Sequence, residues 1–266
     1  ECETIDVRYD PRRRTAYADE LHKLRGRKGL TQEDAVRLLK STTYFAPMMV
    51  RMGDADGYLG GVSHHYPDIV RPCLHTIGPD PDSHRIVGTY MMTVNGQLMF
   101  IGDATINIYP DSRTLAEIAV QTAKVARRFG VRPKVAMLSF SNFGTSGELR
   151  TDRIEEAVSI ARELDPDLTI DGPMQADTAL VPAIQEDYPF MAFDGPANVL
   201  ICPNLASANI AYKLLQRIAG AEMTGPILEG LSKPAHVLQR GDSVRDVVHM
   251  AAICAVDAQR HARQRL

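Results

Sequence analysis

Three apolar runs, each followed by a helical pattern, constrain this chain more than any other feature. They are Val135-Ala136-Met137-Leu138-Ser139-Phe140, Leu168-Thr169-Ile170-Asp171-Gly172-Pro173 and Asn198-Val199-Leu200-Ile201-Cys202-Pro203. The first leads through a small polar loop, Ser141 to Gly147, to a helix capped by Thr151 and running to about Leu164. The second leads to a helix after Asp177, and the third to a helix over 205–219. Strands alternating with helices in this way close into a parallel sheet with right-handed crossovers. The expected class is therefore α/β. At 266 residues the chain is long for one domain and short for two, so two lobes sharing a ligand cleft are expected.

Upstream the periodicity differs. Residues 12–28 read as a helix with Ala16, Leu21 and Leu24 inward, and a second helix opens at Thr31 with Asp34 reaching back. That second helix should turn Val36, Leu38 and Leu39 inward. Tyr44–Met52 reads as a short helix with Pro47 in its first turn, and 66–77 as another. Two β-runs, 86–94 and 97–101, flank Asn95-Gly96, the dipeptide that a type I′ hairpin turn favours. A long amphipathic helix over 113–129 ends at Gly130, where the lobe boundary is expected. The first lobe would be 1–129 plus 236–266, and the second 130–235.

Composition excludes several classes of function. A net charge of -3 argues against a general nucleic-acid binder, whose affinity needs a basic excess. Every apolar run is far shorter than a membrane span of ~18 residues. Cys2, Cys73, Cys202 and Cys254 lie far apart without a Cys-x-x-Cys, which suits reduced thiols in a cytoplasmic protein. No Gly-x-Gly-x-x-Gly, Walker A loop or Gly-x-Ser-x-Gly elbow is present. Asp54 and Asp56 read as a solvated turn, and no metal is expected.

The stretch from Gly225 to Asp246 carries the chemistry. It reads as a turn, a short strand ending near Val237-Leu238, a bend at Gly241, and a helix capped by Asp242 or Ser243. Strand-to-helix corners lie at the carboxyl edge of α/β sheets, where ligands bind. Arg240 and Asp246 bracket this one. With Arg71, the Ser139 loop and Asn204 to Asn209, the residues outline a site for a small anionic ligand.

These same residues carry a resemblance. The 225–246 stretch, Val135–Ser141, Pro203–Lys213 and Arg71-Pro72 resemble the phosphate acetyl/butyryltransferase family over most of the chain from about residue 30. Tyr44-Phe45, Met48–Asp56, Met174–Leu180 and Val237–Gly241 look closest to one branch, the C-terminal phosphotransacetylase-like domain of hybrid NADP-dependent malic enzymes. A chain starting at Glu1 fits a domain cut from such a parent.

The resemblance implies two α/β/α lobes like those of isocitrate and isopropylmalate dehydrogenases, with dimerisation through the second lobe. It also implies roles: Asp246 takes the thiol proton of coenzyme A, Arg240 steadies the acyl carbonyl, and Arg71 holds the acyl phosphate. The family has a serine before the corner arginine, and this chain has Gln239. The longer amide would intrude on the phosphate, and losing one aimed donor costs roughly 10²–10³ in rate. The expectation is thus a non-catalytic regulatory domain that binds acetyl-CoA as an allosteric effector, an inhibitor, beside a malic-enzyme catalytic domain holding NADP and a divalent metal. The parent would be a homodimer or larger oligomer. Acetyl-CoA would contact Arg71, Ser139, Ser141, Asn142, Gly144, Asn204, Ser207, Asn209, Arg240, Gly241 and Asp246, with Arg127, Arg128 and Lys213 candidates for its adenine and 3′-phosphate. An active phosphate acetyltransferase with Asp246 as base is the alternative, and an assembly domain a third reading.

Overall fold

The computed structural model describes residues 3–81, 83, 85–94, 96–144 and 149–263. In chain order the elements are α1 (Pro11–Arg25), α2 (Gln32–Leu38), α3 (Thr42–Met52), β1 (Tyr58–Gly60), α4 (Tyr66–Thr76), β2 (Val87–Val94) and β3 (Gln97–Gly102). There follow α5 (Ser112–Arg128), β4 (Lys134–Leu138), α6 (Leu149–Leu164), β5 (Thr169–Met174), α7 (Ala176–Leu180) and α8 (Pro182–Gln185). The chain closes with β6 (Val199–Ile201), α9 (Leu205–Ile218), β7 (Glu222–Glu229), β8 (Ala235–Val237) and α10 (Val244–Arg263). They form two compact units, one of residues 1–83 with 231–266 and the other of residues 84–230.

The second unit is built on a six-stranded sheet of order β5-β4-β6-β3-β2-β7. The first four strands of that order run parallel, while β2 is antiparallel to both β3 and β7. The sequence rhythm thus gives the parallel part, and the hairpin supplies a mixed edge. This pairing also moves the unit boundary. Phe100 lies opposite Val199 and Val87 opposite Glu229, so the hairpin and α5 belong with the strands that follow them. The division falls at 83/84 and 230/231 instead of 129/130 and 235/236. At Gly102 the sheet meets α5 so closely that a Cβ would come within 2.6 Å of the Thr122 hydroxyl. Gly96 takes the positive φ expected of the hairpin, whereas Asn95 lies outside the described residues. Residues 145–148 and the Thr151 side chain, expected as loop and cap, also lie outside them.

The first unit packs α1, α2 and α3 around Tyr17, Leu21, Leu39, Phe45 and Met48. The Thr31 cap forms as expected, its hydroxyl accepting from the Asp34 amide at 3.1 Å. Two inward faces differ from the pattern. Ala16 and Val36 are exposed, because Tyr17 with Ala18 and Ala35 with Leu39 fill the interface. Ser41 caps α3, which starts two residues before Tyr44 at Thr42, and this leaves Pro47 inside the helix. In this unit β1 and β8 pair in parallel, Gly60 opposite Val237. The buried His236 ring meets the Asp257 carboxylate of α10 at 3.0 Å, and the Cys254 thiol donates to the Tyr58 carbonyl. Helix α10 is thereby docked on the short sheet whose exit is the corner. Among the described residues, no helix is long and apolar enough to cross a membrane.

Candidate functional site

The expected site residues fall into two sets, one in each unit. In the first unit, β8 runs out through Leu238, whose amide still donates to the Gly60 carbonyl at 2.8 Å. Opposite it Gly61 has φ of 131°, and a Cβ there would lie 2.4 Å from the Leu238 carbonyl oxygen, so only glycine lets the strands pass. The chain then turns. Asp242 accepts from the Gln239 amide at 2.7 Å and returns its own amide to the Gln239 carbonyl at 3.2 Å. Gly241 makes the bend with φ of 95°. Burial raises the Asp242 pKa, and the nearby Asp246 charge adds to the effect.

Ser243 caps α10 in a reciprocal arrangement. Its hydroxyl accepts from the Asp246 amide at 3.2 Å, and the Asp246 carboxylate accepts from the Ser243 amide at 2.8 Å and hydroxyl at 2.6 Å. Burial alone would raise the Asp246 pKa. The bonds from Ser243 outweigh it, Arg245 and His249 help, and the carboxyl ends below its ordinary value. Asp246 is therefore ionised at neutral pH with one oxygen occupied. Arg240 and Gly241 are exposed at the same corner, and Arg71 is exposed on α4.

In the second unit the parallel strands bring their exits to one edge of the sheet. Here most of the expected ligand contacts turn out to be internal ties. Asn142, buried, accepts from the Gln175 amide at 2.7 Å and donates to the Gln175 side chain at 3.3 Å and the Tyr188 hydroxyl at 3.1 Å. The Gln175 amide group donates to the Phe140 carbonyl at 2.7 Å, and the Phe143 amide to the Pro173 carbonyl at 2.7 Å. Phe143 also packs against Tyr188 and Phe190, with ring centroids 5.2 and 4.9 Å away. Ser141 is buried. Asn204 caps α9, accepting from the Ser207 amide and hydroxyl at 2.9 and 3.0 Å, and Asn209 donates to the Ala104 carbonyl at 3.3 Å. Ser139 and Gly144 remain partly open on this edge, and the Phe140 ring is 58% exposed.

The three residues suggested for adenine and 3′-phosphate do not gather there. Arg127 pairs with Asp165 at 2.6 Å beside a cavity of about 310 Å³ near the starts of β4 and β5, the opposite edge of the sheet. Arg128 pairs with Glu229 of β7, and Lys213 lies 5.0 Å above the Tyr212 ring on α9.

Two residues of this edge escaped the sequence reading. Asp103, 3% exposed and with φ of 42°, follows β3. Its carboxylate accepts from the amides of Gly88, Ile106 and Asn107 at 3.3, 3.1 and 2.8 Å, and from the Asn107 side chain. Burial raises its pKa against the pull of those donors. Arg153 of α6 donates to the Pro110 carbonyl at 3.0 Å and the Pro203 carbonyl at 2.9 Å, tying the β3 and β6 exits together. Asp103-x-x-x-Asn107 after an apolar strand was the only available signal. Among the described residues no group of three His, Cys, Asp or Glu is placed to hold a metal ion. Asp54 instead accepts from the Tyr17 hydroxyl and faces Arg13 at 3.8 Å.

Residues 1–255 match the family described as phosphate acetyl/butaryl transferase. The chain belongs to this family. It is 38% identical over 243 residues to a phosphate acetyltransferase of Corynebacterium glutamicum, covering 91% of this chain and 74% of that one. It is 41% identical over 234 residues to that of Bacillus subtilis, covering 87% and 72%. Among solved structures, a phosphotransacetylase from Streptococcus pyogenes superposes with a TM-score of 0.87 at 39% identity, covering 97% of this chain and 77% of that one. These relatives of the phosphate acetyl/butaryl transferase family are phosphate acetyltransferases, not malic enzymes. That overturns the expected regulatory role, the oxidoreductase reading with its NADP, and the malic-enzyme catalytic domain as partner.

Proposed function

We propose that this chain is a phosphate acetyltransferase, moving acetyl between acetyl phosphate and coenzyme A. Membership of the family, with phosphate acetyltransferases as relatives along nearly the whole chain, carries the reading. The corner geometry agrees with it. Asp246 takes the proton of the coenzyme A thiol, and the thiolate sulfur attacks the acetyl carbonyl carbon. Arg240 steadies the negative charge that develops on the carbonyl oxygen. The carbon–oxygen bond to phosphate then breaks, and phosphate leaves with the bonding electrons. Arg71 holds the phosphoryl group.

The ionised state of Asp246 fits a base ready at neutral pH, although a lowered pKa limits its basicity. Gln239 is the departure from the family pattern. Its backbone is committed to the turn through Asp242, and its half-buried side chain stands beside Arg240 in sequence. The amide slows the reaction in this reading without abolishing it. Incubation with acetyl phosphate and coenzyme A, followed by thioester absorbance, tests the proposal. Thioester should accumulate in proportion to protein; a rate no higher than the protein-free control rejects it.

A further inference from the structure

The cavity at the starts of β4 and β5 lies apart from every residue given a part in the transferase reaction. It measures about 310 Å³ and is lined by Arg127, Arg132, Pro133, Asp165, Asp167 and Thr169, all in the second unit. That volume matches the smaller ligand pockets of proteins, which begin near ~300 Å³. Strands β4 and β5 are parallel neighbours with Lys134 opposite Thr169, so the two segments that enter them run side by side. Helix α5 ends at Arg128 and α6 at Leu164, and each leads directly into one of these segments.

Backbone ties fix both walls. The Asn198 side chain donates to the Arg132 carbonyl at 2.9 Å and accepts from the Lys134 amide at 2.8 Å, which braces 132–134. On the other side the Leu168 amide donates to the Asp165 carbonyl at 2.9 Å and closes the turn 165–168. The Arg127–Asp165 pair at 2.6 Å joins the end of α5 to that turn. Two lining charges are left over. Among the described residues, neither the Arg132 guanidinium nor the Asp167 carboxylate has a hydrogen bond or ion pair, and they do not pair with each other.

Opposite charges that share a cavity without touching suit a molecule that carries both. The lining balances two arginines against two aspartates, and the C-terminal ends of α5 and α6 add partial negative charge. A purely anionic ligand such as phosphate therefore meets no net attraction. A guanidinium fork suits a carboxylate, and an ammonium donates to a carboxylate, both through the stronger, charge-assisted kind of bond. The small volume selects short molecules of this type. We propose that the cavity binds an α-amino acid, its carboxylate on Arg132 and its ammonium on Asp167. The site lies at the edge of the sheet opposite the β4 and β6 exits, and its occupancy does not depend on the transferase reading.

The test follows backbone amides by NMR in the full chain, at neutral pH and constant ionic strength. L-alanine, L-aspartate, L-glutamine and L-arginine are titrated separately, followed by the deaminated and decarboxylated counterparts of whichever responds (propionate and ethylamine for alanine). At least one amino acid should give saturable shifts at the amides of 132 and 165–169. Each single-charge counterpart should bind about tenfold or more weakly, since it forfeits one charge-assisted contact. R132Q and D167N, both at exposed positions and checked for an unchanged circular dichroism spectrum, should each weaken the responding amino acid to a similar extent. Should one variant misfold, the other decides. No saturable shift with any of the four, or shifts confined to other parts of the chain, overturns the proposal. So does a counterpart that binds as tightly as its amino acid, or undiminished affinity in a folded variant. Thioester formation from acetyl phosphate, measured alongside, reports on the transferase reading alone.

Discussion

Replacing Asp246 by asparagine separates its part in the helix cap from the base role proposed for it. In the folded protein a single carboxylate oxygen accepts from the Ser243 amide at 2.8 Å and its hydroxyl at 2.6 Å. An asparagine oxygen can keep both bonds, so D246N should lose only the charge at the helix start, ~0.3–1 kcal/mol. In the proposed reaction it also loses the base, which is worth ~10²–10⁴ in rate, or ~2.7–5.4 kcal/mol of barrier. S243A does the reverse. It removes the cap, at a cost of about 1 kcal/mol, and leaves the carboxylate in place. Thermal unfolding by circular dichroism, together with kcat and KM from the thioester assay, should show D246N stable and slow, and S243A less stable and within a few-fold of parental kcat.

The pH dependence adds a third readout. The folded pKa of Asp246 is depressed below its unfolded value, so its stabilisation is present above the unfolded pKa and is lost as pH falls through the folded one. The acid limb of kcat/KM should accordingly lie below the ordinary carboxylate range in the parent and move upward in S243A. If D246N keeps kcat within a few-fold of parent, Asp246 is not the base. If S243A loses as much rate as D246N, the carboxylate acts only through the helix cap.

Two further outcomes follow from residues described above. Q239S shortens the side chain before Arg240 and restores an aimed hydroxyl, so kcat should rise by roughly 10- to 100-fold, part of the usual worth of such a donor; an unchanged or lower kcat would show that Gln239 leaves the phosphate free. D103A strands the amides of Gly88, Ile106 and Asn107, and with one or two of them left without water it should cost about 3 kcal/mol. Hydrogen exchange in peptides spanning 103–111 should accelerate accordingly, and protection as in the parent would contradict the role given to this carboxylate.

Much of the second unit was legible because its signals are periodic and local. The apolar runs at 135–140, 168–173 and 198–203 became the parallel strands β4, β5 and β6, and Gly96 marked the hairpin. Partnership between distant segments carries no such signature. Nothing local says that Phe100 will lie beside Val199, or that 222–229 will form an edge strand against β2, and the boundary at 129/130 was misplaced for that reason. The site shows the same division. Gly241 and Ser243 announce a bend and a cap by residue type. Asn142, Asn204 and Asn209 look like ligand donors in sequence, yet an amide serves internal structure as readily as a substrate: here Asn142 holds Gln175, Asn204 caps α9 and Asn209 donates to Ala104. Gln239 invited too strong a conclusion, because one side chain cannot outweigh likeness spread along the whole chain.

The inward ties of Asn142 have a consequence for anyone wishing to re-engineer the β4 exit. Since its amide is spent on Gln175 and Tyr188, altering it would slacken the β4 exit. The adjustable face of that exit is the ring of Phe140, anchored by its own carbonyl yet largely bare to solvent. Bulk can be traded there without loosening the wall behind it.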